Sequence, residues 1–179
     1  MKRAGILVLA FVALVLTTGC PFESHVPLGS PGPGSLDPRL QGRWVAVEAG
    51  GTVTEIDFLP FNSNEYYVEL RQKGKEPERY RAYSVRIGGE LFLNINEVKG
   101  DTARHSFNFA RYTVGRDGAL ALRFVGDKAV PKAFGTDQKA LVKFLAAHLE
   151  GTFLDDGEQP SVLHRPAAAP PAGEAKTTP

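Results

Sequence analysis

The chain has 179 residues, 42% of them hydrophobic, with 21 Lys+Arg against 20 Asp+Glu. That is room for one domain of ordinary size, with no basic field to hold nucleic acid. Charged residues at 23% beside 11 Phe and 5 Tyr exclude a mostly disordered chain, and a single cysteine excludes an internal disulfide framework or a CxxC metal or redox site.

Lys2 and Arg3 form a short positive start, followed by an apolar run from Ala4 to Leu16. A run of 13 residues makes about 20 Å of helix. The hydrocarbon core of a bilayer is about 30 Å thick, so a permanent transmembrane helix is disfavoured. Thr17, Thr18 and Gly19 are small residues suited to a signal-peptidase cleft, and Cys20 follows them. Residues 1–20 resemble a bacterial lipoprotein signal. The departure is Thr17, where that pattern prefers Leu. The resemblance implies that residues 1–19 are removed and that Cys20 carries the lipid, making a membrane the first partner. Loss of Lys2 and Arg3 turns the formal charge from +1 to −1. With Pro21 rather than Asp after the cysteine, the sorting rule of that class favours the periplasmic face of an outer membrane. The other reading is an ordinary secretory signal that leaves Cys20 an idle thiol.

Five prolines and three glycines between residues 21 and 38 read as a flexible tether, 20–38. The Ala/Pro-rich end, 166–179, reads as a disordered tail. Between them, 39–165 is long enough to bury a real core.

Turn signals at Gly50-Gly51, Asn62-Ser63-Asn64, Gly74, Gly88-Gly89, Gly100-Asp101 and Asp117-Gly118 divide this domain into hairpin-sized pieces. The pieces alternate: Tyr66, Val68 and Leu70 on one face; Leu91, Leu93 and Ile95; Phe107 and Phe109; Leu120, Leu122 and Phe124. In the fourth run Tyr80 and Ala82 are out of phase with Tyr83, Val85 and Ile87, which predicts a bulge. One helix interrupts the series. Thr136 is its predicted N-cap, Gly151 its stop, and Leu141, Phe144, Leu145 and Leu149 its apolar stripe. Val162 and Leu163 make a last short strand. The fold class is therefore mainly β: an antiparallel up-and-down meander of seven or eight strands closing into a barrel, with one late α-helix.

Gly42-Arg43-Trp44 opens the first strand. A G-x-W there, with a late helix, resembles the lipocalin and wider calycin pattern. That resemblance implies that Trp44 closes the base of the barrel and stacks against an arginine from a late strand, here Arg165 or Arg123. Physically, a guanidinium over indole gains cation–π attraction while its fork takes up loose carbonyls.

No nucleophile elbow, H-E-x-x-H or phosphate loop occurs, and His25, His105, His148 and His164 lie at no ligand spacing. No metal, cofactor or catalytic group is expected. Asp155-Asp156-Gly157-Glu158 reads as a turn, Glu55 and Asp57 as strand carboxylates, and the basic stretch Arg71 to Arg81 as a solvated, edge-protecting hairpin. The functional expectation is a non-catalytic envelope protein that binds a small apolar ligand or envelope component, its pocket lined by Tyr66, Val68, Leu93 and Phe107. The mouth is expected opposite Trp44, beside Asn62–Asn64 or Gly88–Gly89. The alternative is a structural or assembly protein with a filled barrel that acts through protein contacts.

Overall fold

A computed structural model describes residues 20–47, 51–98, 106–150, 154 and 160–166. The expectations for the signal stretch 1–19, Gly50, Gly100-Asp101, His105, Gly151, the acidic turn 155–158 and the tail beyond 166 lie outside the described residues.

Eight strands follow one another in sequence and in space: β1 (Gly42–Val47), β2 (Val53–Pro60), β3 (Tyr66–Gln72), β4 (Glu78–Ile87), β5 (Glu90–Glu97), β6 (Phe107–Val114), β7 (Leu120–Phe124) and β8 (Ser161–Leu163). Every neighbouring pair is antiparallel. Beyond β8, His164 exchanges both backbone hydrogen bonds with Val45 of β1, at 2.8 and 2.9 Å. The sheet is thus a nearly closed barrel, and the meander has few edge groups left to satisfy.

Register fixes which side chains face inward, because directly opposed residues share a face. Inward-facing pairing begins at Trp44↔Ile56 and continues through Ile56↔Leu70, Phe58↔Val68, Val68↔Tyr80 and Ala82↔Ile95 to Tyr112↔Leu122 and Leu120↔Leu163. These residues form the inner core. The pairing of β4 with β5 is unbroken from Tyr80↔Glu97 to Ile87↔Glu90, so the predicted bulge is absent. The two phases in β4 instead reflect two buried faces. Ala82 and Ser84 point into the barrel, while Tyr83 and Ile87 are covered from outside.

The outside cover is the main correction to the sequence reading. Residues 20–40 are a packed strap and not a flexible tether. Phe22 and Ser24 lie between the start of β6 and the chain after β7: Phe22 N–H donates to Val125 O (2.7 Å), and Ser24 and Phe107 exchange backbone bonds. Further along, Leu28 N–H donates to the buried Asn94 side chain (2.7 Å) and Tyr83 Oη to Gly29 O (2.5 Å). Ser84 N–H then donates to Ser35 O, on the edge of β4 that β3 leaves free (2.8 Å). Only 1% of Phe22 is exposed. Prolines dominate the composition of this stretch, but a strap needs few ladder donors, and Phe22, Val26 and Leu28 supply its adhesion.

Beside the strap packs the helix α1 (Gln138–Ala147), which follows a 3-10 turn over Lys132–Thr136. Its N-cap is Asp137 rather than Thr136, because the Asp137 carboxylate accepts the Ala140 N–H at 3.0 Å. Leu141 and Leu145 are fully buried against Phe92 and Phe109 of the wall, and Phe144 and Leu149 pack partly. The helix ends at His148.

On β2, β3 and β4 as far as Arg81 the outer face carries charge. Asp57 is held by Arg43 (3.0 and 3.2 Å) and by Arg71, which also pairs with Glu69; Arg81 pairs with Glu65. These partners hold the Asp57 carboxyl below its ordinary value, although burial opposes the shift. Both β3 and β4 are paired on two sides, so the Arg71–Arg81 hairpin is wall and not edge. Such an outer face lacks the apolar band of a membrane-spanning barrel. Among the described residues no helix is long and apolar enough to cross a membrane.

Candidate functional site

The two ends of the barrel differ. At one end Trp44 is 1% exposed, and its Nε1 donates to Leu40 O at 2.7 Å. The Arg165 guanidinium lies 3.9 Å from the centre of the indole and donates to Gln41 O (2.5 Å) and Arg39 O (2.8 Å). One group therefore stacks on the ring and ties down the chain that enters β1. Gly42 makes the approach feasible. Its φ is +101°, and a Cβ there would stand 2.7 Å from Arg165 Nη1. Of the two arginines considered, Arg165 lies over the ring; Arg123 sits on β7 opposite Arg111 of β6.

Behind this stack the strap plugs the barrel. Tyr66 Oη donates to Asp37 O (2.7 Å), and Tyr112 Oη donates to Asp37 Oδ2 (3.2 Å) and shares a hydrogen bond with Ser84 Oγ (2.9 Å). Burial pushes Tyr112 up to about 12 and Tyr66 upward as well. Burial also acts to raise Asp37, but hydrogen bonds from Arg39 and Tyr112 outweigh it and hold this carboxyl below its ordinary value. The groups satisfy one another.

Towards the other end the interior is hollow. A cavity of about 230 Å³ is lined by Ile56, Phe58, Val68, Leu70, Leu93 and Leu122, among others. Its polar contributions are few: Tyr80, whose phenol is pushed up by burial and by Glu78, and Asn108, whose Nδ2 donates to Phe22 O at 3.0 Å. A second hollow of about 480 Å³ shares Ile56, Leu70, Leu122 and Phe124 with the first and runs out past Val47 and Val162. The two hollows thus lie against the same stretch of wall, the second nearer the open end.

Of the residues expected to line a pocket, Val68 and Leu93 do so. Tyr66 faces inward but belongs to the plug. Phe107 does not line it: its backbone pairs with Ser24 of the strap, and its ring packs in the outer core. Phe92 and Phe109 also face outward, which removes aromatic volume that the sequence alone would place inside and is why a hollow remains. The mouth does lie opposite Trp44. However, Asn62–Asn64 and Gly88–Gly89 lie at the Trp44 end, since β2–β3 and β4–β5 turn there. The open end is bordered instead by the end of β3 at Gln72, by the end of β7 at Phe124 and by the start of the strap at Pro21.

His25, His148 and His164 do not converge, and among the described residues no three His, Cys, Asp or Glu side chains could hold a metal ion. Ile56 is the principal lining residue that sequence reasoning missed. Its run, Val53 to Pro60, does alternate, but the carboxylates Glu55 and Asp57 drew attention to the other face. No family model, curated protein or solved structure matches the chain.

Proposed function

We propose that this protein is a lipid-anchored component of a bacterial cell envelope, at the periplasmic face of the outer membrane, whose barrel binds a small apolar ligand without catalysing a reaction. The observation that carries the reading is the hollow itself: a nearly all-hydrocarbon cavity inside the barrel, with a second hollow beside it at the open end. At about 230 Å³ it exceeds the roughly 150 Å³ that accommodates benzene in an engineered core, and stays below the roughly 300 Å³ at which drug-sized pockets begin. A slender ligand fits that size. The lipoprotein-like stretch before Cys20 supports the anchor. The G-x-W opening, with Arg165 over Trp44, supports a lipocalin-like barrel.

The test is uptake of an apolar fluorescent probe by the chain from residue 20 onward with Cys20→Ser, which retains every other described residue. One probe per chain is the expected stoichiometry. Val68→Trp should abolish uptake while far-ultraviolet circular dichroism stays that of the parent. Exclusion of every apolar probe would overturn the ligand reading and favour an assembly role through the charged Arg71–Arg81 face.

A further inference from the structure

We infer that the open rim of the barrel rests on the lipid surface, so that the cavity opens into the bilayer and not into water. This deepens the proposed function and rests on its reading of the stretch before Cys20 as membrane-directed. Three observations converge on the same end of the molecule. The first is the place of Cys20. Asp127 N–H donates to Cys20 O at 2.9 Å, Pro21 bridges to Gly126, and Pro21 itself lines the cavity. The strap leaves no slack between this residue and the barrel wall. A lipid on Cys20 therefore starts at the rim.

The second observation is the distribution of exposed apolar side chains. Val47 (70% exposed), Val53, Val98, Phe124 and Val162 all stand where strands end or begin at the mouth. Val47 is directly opposite Val53 in the β1–β2 register and borders the same hollow as Val162. Among the described residues, only Leu59 and Phe61 of the large exposed hydrophobics belong to the other end. A monomer has no reason to gather such residues on one rim unless something apolar covers it.

Third, the wall above the rim is unsuited to burial in lipid. Glu55, Asp57, Glu69, Arg71 and Arg81 face outward on β2–β4. The barrel therefore dips only its rim, which matches an interfacial protein better than a spanning one. An acyl chain then reaches the hollow without crossing water, and its slender cross-section suits the cavity.

The test uses the full chain, expressed with its signal stretch and reconstituted from membranes into phosphatidylcholine vesicles with brominated or ordinary acyl tails. Trp44, buried at the far end, serves as the internal reference, and a second tryptophan is placed by Val47→Trp or by Phe61→Trp. Bromine should quench the added emission of Val47→Trp and leave that of Phe61→Trp and of the parent unchanged. Equal emission from both variants in brominated vesicles, with the protein still membrane-bound, would overturn the docked rim while leaving the anchor intact. Failure of the anchor reads out separately, as absence of an acyl group on Cys20 by mass spectrometry and loss of the protein from the membrane fraction; that result overturns both.

Discussion

The Trp44 end and the mouth of the barrel are built on the same strands with the same alternation, yet one is a solid plug and the other a hollow. At the plug the largest side chains, Trp44, Tyr66 and Tyr112, meet Leu40 and Asp37 brought in by the strap, and each polar atom has a partner. At the mouth, medium-sized residues such as Ile56, Leu70 and Leu122 line a cavity of about 230 Å³. The difference teaches that, under the function proposed above, stability and binding would be separated along the barrel axis. An enclosed aromatic network would supply the first, and the apolar cavity would serve the second.

Paired truncations test this separation most strongly. Trp44→Ala should cost about 3–5 kcal/mol in urea unfolding, as a large-to-small change in a closed core, whereas the half-exposed Phe124→Ala at the mouth should cost about 1 kcal/mol. Similar losses at both ends would erase the contrast. The strap joins the two ends, and Phe22→Ala should cost about 2–4 kcal/mol. A stability equal to that of the parent would mean that the strap is loose after all.

A smaller effect is expected at Arg165, which is exposed but makes three contacts. Arg165→Ala should lose about 1–2 kcal/mol, and Arg165→Lys should recover less than half of it, because an ammonium cannot stack and fork together. Thermal unfolding of the two variants side by side decides this. The smallest effect is a matter of pH. The folded state lowers the Asp37 carboxyl below its reference value of 3.8, so its contribution is present above that pH and is lost as the pH falls through the folded value. Asp37→Asn should therefore flatten the acid limb of the stability curve below about pH 4 relative to the parent. An unchanged acid limb would place the stabilising charge elsewhere.

Much of the fold was legible in the chain. Alternation in Tyr66–Leu70, Leu91–Ile95 and Leu120–Phe124, punctuated by Gly and Asn, specified strands, and their short spacing specified an up-and-down order. The helix was legible through its stripe, with an error of one residue at the cap because Thr136 and Asp137 are both good caps and only one presents its oxygen to Ala140. The site was legible in part. Val68 and Leu93 were assigned to the interior, but Phe107 looks the same as they do in a period-two pattern, which marks that two faces exist and not which one is inside.

Local patterning thus determined the elements, the turns, the lack of a catalytic motif and the apolar character of the strands, since each depends on residues close in the chain. Tertiary structure decided which face of β4–β6 turns inward and that 20–40 is a strap. It also decided that Arg165 rather than Arg123 covers Trp44, and that a hollow survives at one end. These depend on residues distant in sequence, Phe22 against Phe109 and Trp44 against Arg165, and on how much side-chain volume reaches a shared space. Composition cannot add up that volume until the register says which side chains share it.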